Sequence, residues 1–75
     1  MKRQYRYAII MEEDKDGFFA MAPELQGCYA SGDTYEEAMS NIKDVIKLNL
    51  EDRLADKENI YPAKSISLST VEVAA

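Results

Sequence analysis

Three runs decide the fold of this chain: Asp14-Lys15-Asp16-Gly17-Phe18-Phe19, Pro23-Glu24-Leu25-Gln26-Gly27-Cys28 and Gly32-Asp33-Thr34-Tyr35-Glu36-Glu37-Ala38. The first is a polar turn running into aromatics, with Gly17 free to take the positive φ that Phe18 would resist. The second opens on a proline that cannot donate to a strand ladder and closes on a glycine that permits a sharp change of direction, so it reads as a wide connection. The third is a helix start. Thr34 followed by Glu37 has capping-box spacing: the threonine oxygen accepts from the amide three residues on, and the glutamate reaches back to the threonine amide. Asp33, Glu36 and Glu37 add negative charge at the positive end of the helix dipole.

Working outward, Tyr5, Tyr7, Ile9 and Met11 fall on one phase of a period-two pattern and predict a first strand over Tyr5–Met11. Glu12 to Gly17 is then the turn. The second strand is expected at Phe18–Ala22 and a short third at Cys28–Ser31. Links this short require antiparallel pairing, because a parallel crossover needs a dozen or more residues. Beyond Thr34, Tyr35, Ala38, Met39, Ile42, Val45, Ile46 and Leu50 recur at three- and four-residue steps, an apolar stripe along a helix of about twenty residues. Leu48 lies off that stripe, either a candidate partner contact or an ordinary single exposed leucine. Asn49 lies on it, as a hydrogen-bonded or hydrated polar group at the edge of the packed face. A loop follows Leu54, where Pro62 disfavours helix at Tyr61. Ser65–Val73 predicts a last strand. Its apolar phase changes at Ser69-Thr70, which implies a bulge or a strand covered on both faces near an assembly interface. The expected fold is α+β, an antiparallel sheet with one long helix on one face, in the order β-β-β-α-β, as a single domain over residues 1–75.

Composition narrows the function. A formal charge of −5, from 14 acidic and 9 basic residues, has the wrong sign for gripping a phosphate backbone and suits a basic partner. Lys2, Arg3 and Arg6 read as a solubilised strand entry. With no histidine and one cysteine, the chain lacks the commonest general base and metal ligand and has no internal disulfide. Cys28, without a histidine to activate it, reads as a small buried hydrophobe. Tyr29, Tyr35 and Tyr61 read as amphipathic packing at sheet edges and interfaces. No metal, cofactor or membrane span is expected, and a cytoplasmic location is the default. A chain this short gains from burial against another copy, so a dimer or tetramer is expected.

The acidic-turn D-G before aromatics, then P-x-L-x-G-C, then G-D-T-x-E-E-A, taken in order, resembles the N-terminal domain of HicB-like antitoxins. The resemblance runs from Tyr7 to about Val73 and is strongest over Gly17 through Ala38. It implies a partial ribonuclease H-like fold and a protein that neutralises a small basic HicA-type ribonuclease toxin by covering its RNA-binding and active surface. Many such proteins carry a further DNA-binding domain; no basic recognition helix occurs in this sequence, so direct DNA binding is not expected from it. The carboxylates of Glu12, Glu13, Asp14 and Asp16 either face the toxin's cationic surface or form a solvated turn that keeps an edge soluble. With Leu48 they are the candidate partner-binding residues. Two alternatives stand beside the antitoxin: a homo-oligomeric binding module without a toxin, and a metal-dependent nuclease using Glu12, Asp14, Asp16 and Asp33. The nuclease is disfavoured because no strand is expected to carry a carboxylate in its middle. The protein is therefore read as a non-enzyme.

Overall fold

A computed structural model describes residues 4–58, 60 and 63–75. Strand β1 spans Ile10–Asp14, β2 Gly17–Met21 and β3 Tyr29–Gly32, and helix α1 spans Tyr35–Ala55. The strands form one sheet in the order β1-β2-β3, both pairs antiparallel. The class and the β-β-β-α order follow the sequence reading.

The first hairpin is tighter than expected. Asp14 pairs with Gly17, Glu13 with Phe18 and Glu12 with Phe19, so the ladder runs on through the acids and the loop shrinks to Lys15-Asp16. Asp14 Oδ1 accepts from the Asp16 amide at 2.8 Å and stabilises that loop. Gly17 supplies φ +128°, and a Cβ there would lie 2.7 Å from the Gly32 carbonyl oxygen. β1 is therefore shifted toward the C-terminus of the predicted Tyr5–Met11, overlapping it at Ile10 and Met11. Residues 4–9 keep the predicted alternation of exposed and half-buried positions but join no ladder, since Pro23 stands where β2 would have to continue. β2 and β3 are each displaced by one residue from the expected Phe18–Ala22 and Cys28–Ser31.

Register assigns the two faces of the sheet. Met11, Phe18, Ala20, Ala30 and Gly32 look toward α1, and Ile10, Glu12, Phe19, Met21, Tyr29 and Ser31 look away. Small residues at the centre of the inner face let the helix approach closely: Ala20, Ala38 and Ile42 are buried with Ala22, Leu25 and Cys28. A Cβ on Gly32 would lie 2.5 Å from the Ala38 nitrogen, so the first turn of the helix rests on that glycine. The Pro23–Gly27 connection is pinned by three backbone bonds, Ala22 N–H to Cys28 O, Leu25 N–H to Ala22 O and Cys28 N–H to Leu25 O. Cys28 is the small buried residue its context predicted.

Thr34 caps α1 as expected, its Oγ1 accepting from the Glu37 amide at 3.0 Å. The return bond differs. Glu37 Oε1 accepts from the amide of Asp33, at 3.4 Å, and not from that of Thr34. At the far end Lys57 takes φ +59°, with Lys57 N–H bonding Leu54 O and Glu58 N–H bonding Arg53 O, the paired bonds of a Schellman stop with lysine in place of glycine.

The predicted last strand is absent as a strand. Residues 65–73 are exposed and enter no ladder with the described residues. A strand exists only by pairing, and this segment lies against no described edge. The Tyr61-Pro62 reading lies outside the described residues, as do Lys2 and Arg3.

Candidate protein-binding surface

Helix α1 has 21 residues, about 32 Å at 1.5 Å per residue, whereas strands of four or five residues reach about 17 Å. The helix overhangs the sheet. Its stripe is buried only at Ala38 and Ile42, while Met39, Val45, Ile46 and Leu50 are half-buried. Under the overhang, Tyr5, Tyr7 and Ile9 meet Met39, Ile42, Lys43 and Ile46 around an open cleft of about 230 Å³. Burial, reinforced by the nearby Glu24 carboxylate, raises the Tyr7 phenol above its ordinary value. Glu24 also ties the flanking segments together: Oε1 accepts from the Ala8 amide at 3.4 Å and Oε2 from the Ala63 amide at 3.3 Å.

Among the described residues no helix lies on the opposite face of the sheet. Phe19 and Tyr29 stack there with centroids 5.8 Å apart and planes 23° from parallel, and they remain 41% and 51% exposed. Half-buried Ile10 and Met21 widen the apolar surface. Glu12 stands directly across from Phe19, so a carboxylate borders the aromatic pair. On the inner face Phe18 is spent on packing, edge-to-face with Tyr35 at 6.3 Å.

The acidic residues singled out from sequence divide between these faces. Glu12 and Asp14 share the open face, Glu13 points to the helix side, and Asp16 lies in the loop; all four are exposed. Glu12 occupies the middle of β1, which corrects the expectation that no strand carries a central carboxylate. Even so, among the described residues no three His, Cys, Asp or Glu side chains converge in a metal-holding group. Leu48 is exposed on the helix. Asn49 lies half-buried with its Oδ1 inaccessible and unpartnered among the described residues, where a hydrogen bond or water was expected. Sequence reasoning missed Phe19 as a surface residue, because alternation alone does not say which of Phe18 and Phe19 faces the helix. It also missed Asn41, whose Nδ2 donates to the Ser31 carbonyl at 2.8 Å and fastens the helix to β3. Among the described residues no helix is long and apolar enough to cross a membrane.

Comparison with known proteins places the chain in a family. Residues 7–73 match the family described as HicB_like antitoxin of bacterial toxin-antitoxin system. A UPF0150 protein of Helicobacter pylori is 40% identical over 65 residues, covering 87% of this chain and 90% of its own. A UPF0150 protein of Archaeoglobus fulgidus is 33% identical over 69 residues, 91% of this chain and 94% of its own. An uncharacterised 14.9 kDa protein of Haemophilus phage HP1 is 39% identical over 60 residues, 80% of this chain but 45% of its own. No solved structure matches significantly. The chain belongs to the HicB-like antitoxin family of bacterial toxin-antitoxin systems.

Proposed function

We propose that this protein is an antitoxin that acts in the cytoplasm by binding a small, basic HicA-type ribonuclease toxin and covering its RNA-binding and active surface. The observation that carries the reading is the uncovered sheet face, where a stacked aromatic pair lies beside a carboxylate. Aromatic side chains are common anchors of protein interfaces, and Tyr29 adds a polar tip to its apolar body. Glu12, Glu13, Asp14 and Asp16 lie at one end of the same hairpin, where they attract a cationic partner from a distance and speed encounter. Leu48, exposed on the helix, serves as a separate partner contact. Catalysis is not part of the role. The protein also self-associates, as a dimer or tetramer, and this chain does not bind operator DNA itself.

The test is binding and inhibition of a HicA-type toxin by purified protein, read by interferometry and by cleavage of a labelled RNA. The double variant Phe19→Ala, Tyr29→Ala weakens binding at least a hundredfold while the thermal melt keeps its cooperative shape. Charge reversal at Glu12, Glu13 and Asp14 slows association, most of all at low salt. Unaltered affinity in the aromatic variant would remove the sheet face from the interface, and RNA cleavage undiminished by a saturating excess of the protein would remove the antitoxin role.

A further inference from the structure

The segment from Ser65 to Val73 has strand-like composition, and every one of its residues is exposed. Leu68, Val71 and Val73 stand 83%, 86% and 76% exposed. Apolar side chains in series are costly to leave in water. The radius of gyration is 14.5 Å, against about 11 Å for a compact chain of this length, and the longest dimension is 47 Å, which fits an arm carried off the body.

The molecule also lacks something the arm would supply. The outer edge of β1 pairs with no strand among the described residues. Asp14 closes the hairpin opposite Gly17, so by the alternation of an antiparallel ladder Met11 and Glu13 turn their backbone groups to that outer edge. The other edge is differently managed: Asn41 already donates to the Ser31 carbonyl of β3. Beside the N-terminal continuation of β1 lies the apolar cleft of Tyr5, Tyr7, Ile9, Met39, Ile42 and Ile46. Nine arm residues span about 30 Å, and residues 4–14 offer about 36 Å of extended chain.

We infer that residues 65–73 are an exchange arm that adds as a strand to the outer edge of β1 in a second copy of this chain, its apolar side chains covering the cleft under the helix overhang. The inference rests on the self-association proposed above and says which segment produces it. Glu24 sets the geometry, because one carboxylate meets both the Ala8 and the Ala63 amides. The arm thus departs beside the N-terminal continuation of the edge it matches, and from there crosses to the same edge of the second copy. Since donor and acceptor occur on the same chain, reciprocal exchange satisfies both edges and closes the assembly as a dimer.

The deciding experiment on the intact protein is isotope-filtered NMR on a mixture of labelled and unlabelled copies, with sedimentation across a hundredfold range of concentration. Contacts between Leu68 or Val71 of one copy and Tyr7 or Ile9 of the other are expected. Val71→Pro, which removes a ladder donor at a residue exposed within its own chain, weakens dimerisation at least tenfold. Leu68→Asp does the same without altering backbone geometry. A concentration-independent monomer overturns both the arm and the self-association. A dimer indifferent to both substitutions, or one whose arm contacts are all intramolecular, overturns the arm alone and leaves self-association standing.

Discussion

Gly32→Ala puts the helix-to-sheet seam under direct strain. The added methyl would sit 2.5 Å from the Ala38 nitrogen, 2.9 Å from the Glu37 carbonyl carbon and 3.0 Å from the Glu37 Cβ. Two of the three are backbone atoms in the first turn of α1, so no rotamer change relieves the clash. The helix must retreat by about 1 Å, opening the contacts of Ala20, Ala38 and Ile42, which with Ala22, Leu25 and Cys28 are the fully buried core. Overpacking of this kind costs about 2–3 kcal/mol. At about 4–8 °C per kcal/mol for a domain of this size, the melting temperature falls by about 8–24 °C. The assay is thermal unfolding followed by circular dichroism at fixed protein concentration, which removes any shift due to association. Gly27→Ala is the control. Nothing lies within 4 Å of its added carbon, but φ there is +83°, so it loses about 1 kcal/mol to backbone strain alone. If Gly32→Ala melts within about 2 °C of the parent, or no lower than Gly27→Ala, the close seam is not what holds the helix.

Three further outcomes follow from local chemistry. Thr34→Ala removes the acceptor of the Glu37 amide and costs about 1 kcal/mol in chemical denaturation, whereas Thr34→Ser keeps most of it. Lys57→Gly relieves a φ of +59° and raises stability by about 0.5–1 kcal/mol, after the entropy gained by the unfolded chain is set against it; a lower midpoint would show that the lysine side chain matters more than its backbone. The Tyr7 phenol is raised by burial first and by Glu24 second, so the unfolded chain gives up this proton before the folded one. Its contribution to stability is complete below the unfolded value of 10.0 and is lost as pH climbs from there through the folded value. Urea titrations at pH 9 to 11 should therefore show a shallower alkaline decline in Tyr7→Phe than in the parent.

Local signals that needed no partner were legible in the sequence. The Thr34 cap, the Pro23–Gly27 connection and the burial of Cys28 depend on neighbours a few residues away, and each occurs as its residues dictate. The alternation of Tyr5, Tyr7 and Ile9 was equally readable, yet it defines a face and not a ladder. Where β1 pairs is decided by the loop, and an Asx-stabilised Lys15-Asp16 turn pulled the ladder onto the acids. The last segment shows the same limit more strongly, because strand composition at Ile66, Leu68, Val71 and Val73 cannot specify which edge receives it. As for the candidate site, Glu12 and its neighbours announced themselves by charge. The aromatic pair beside Glu12 did not, since only register tells which of Phe18 and Phe19 faces the helix.

The two hydrogen bonds that Glu24 accepts, from Ala8 and from Ala63, make the body of this protein a loop whose two ends meet. Anything joined ahead of Ala8 or beyond Ala63 leaves from one corner, whichever terminus carries it. A tether or a fused domain at either end is thus presented at the same place, well away from the hairpin tip. Tension applied between the ends would load that single carboxylate before it reached the sheet. The body would therefore part like a clasp, releasing both flanks together while the three strands and the helix still held their shape.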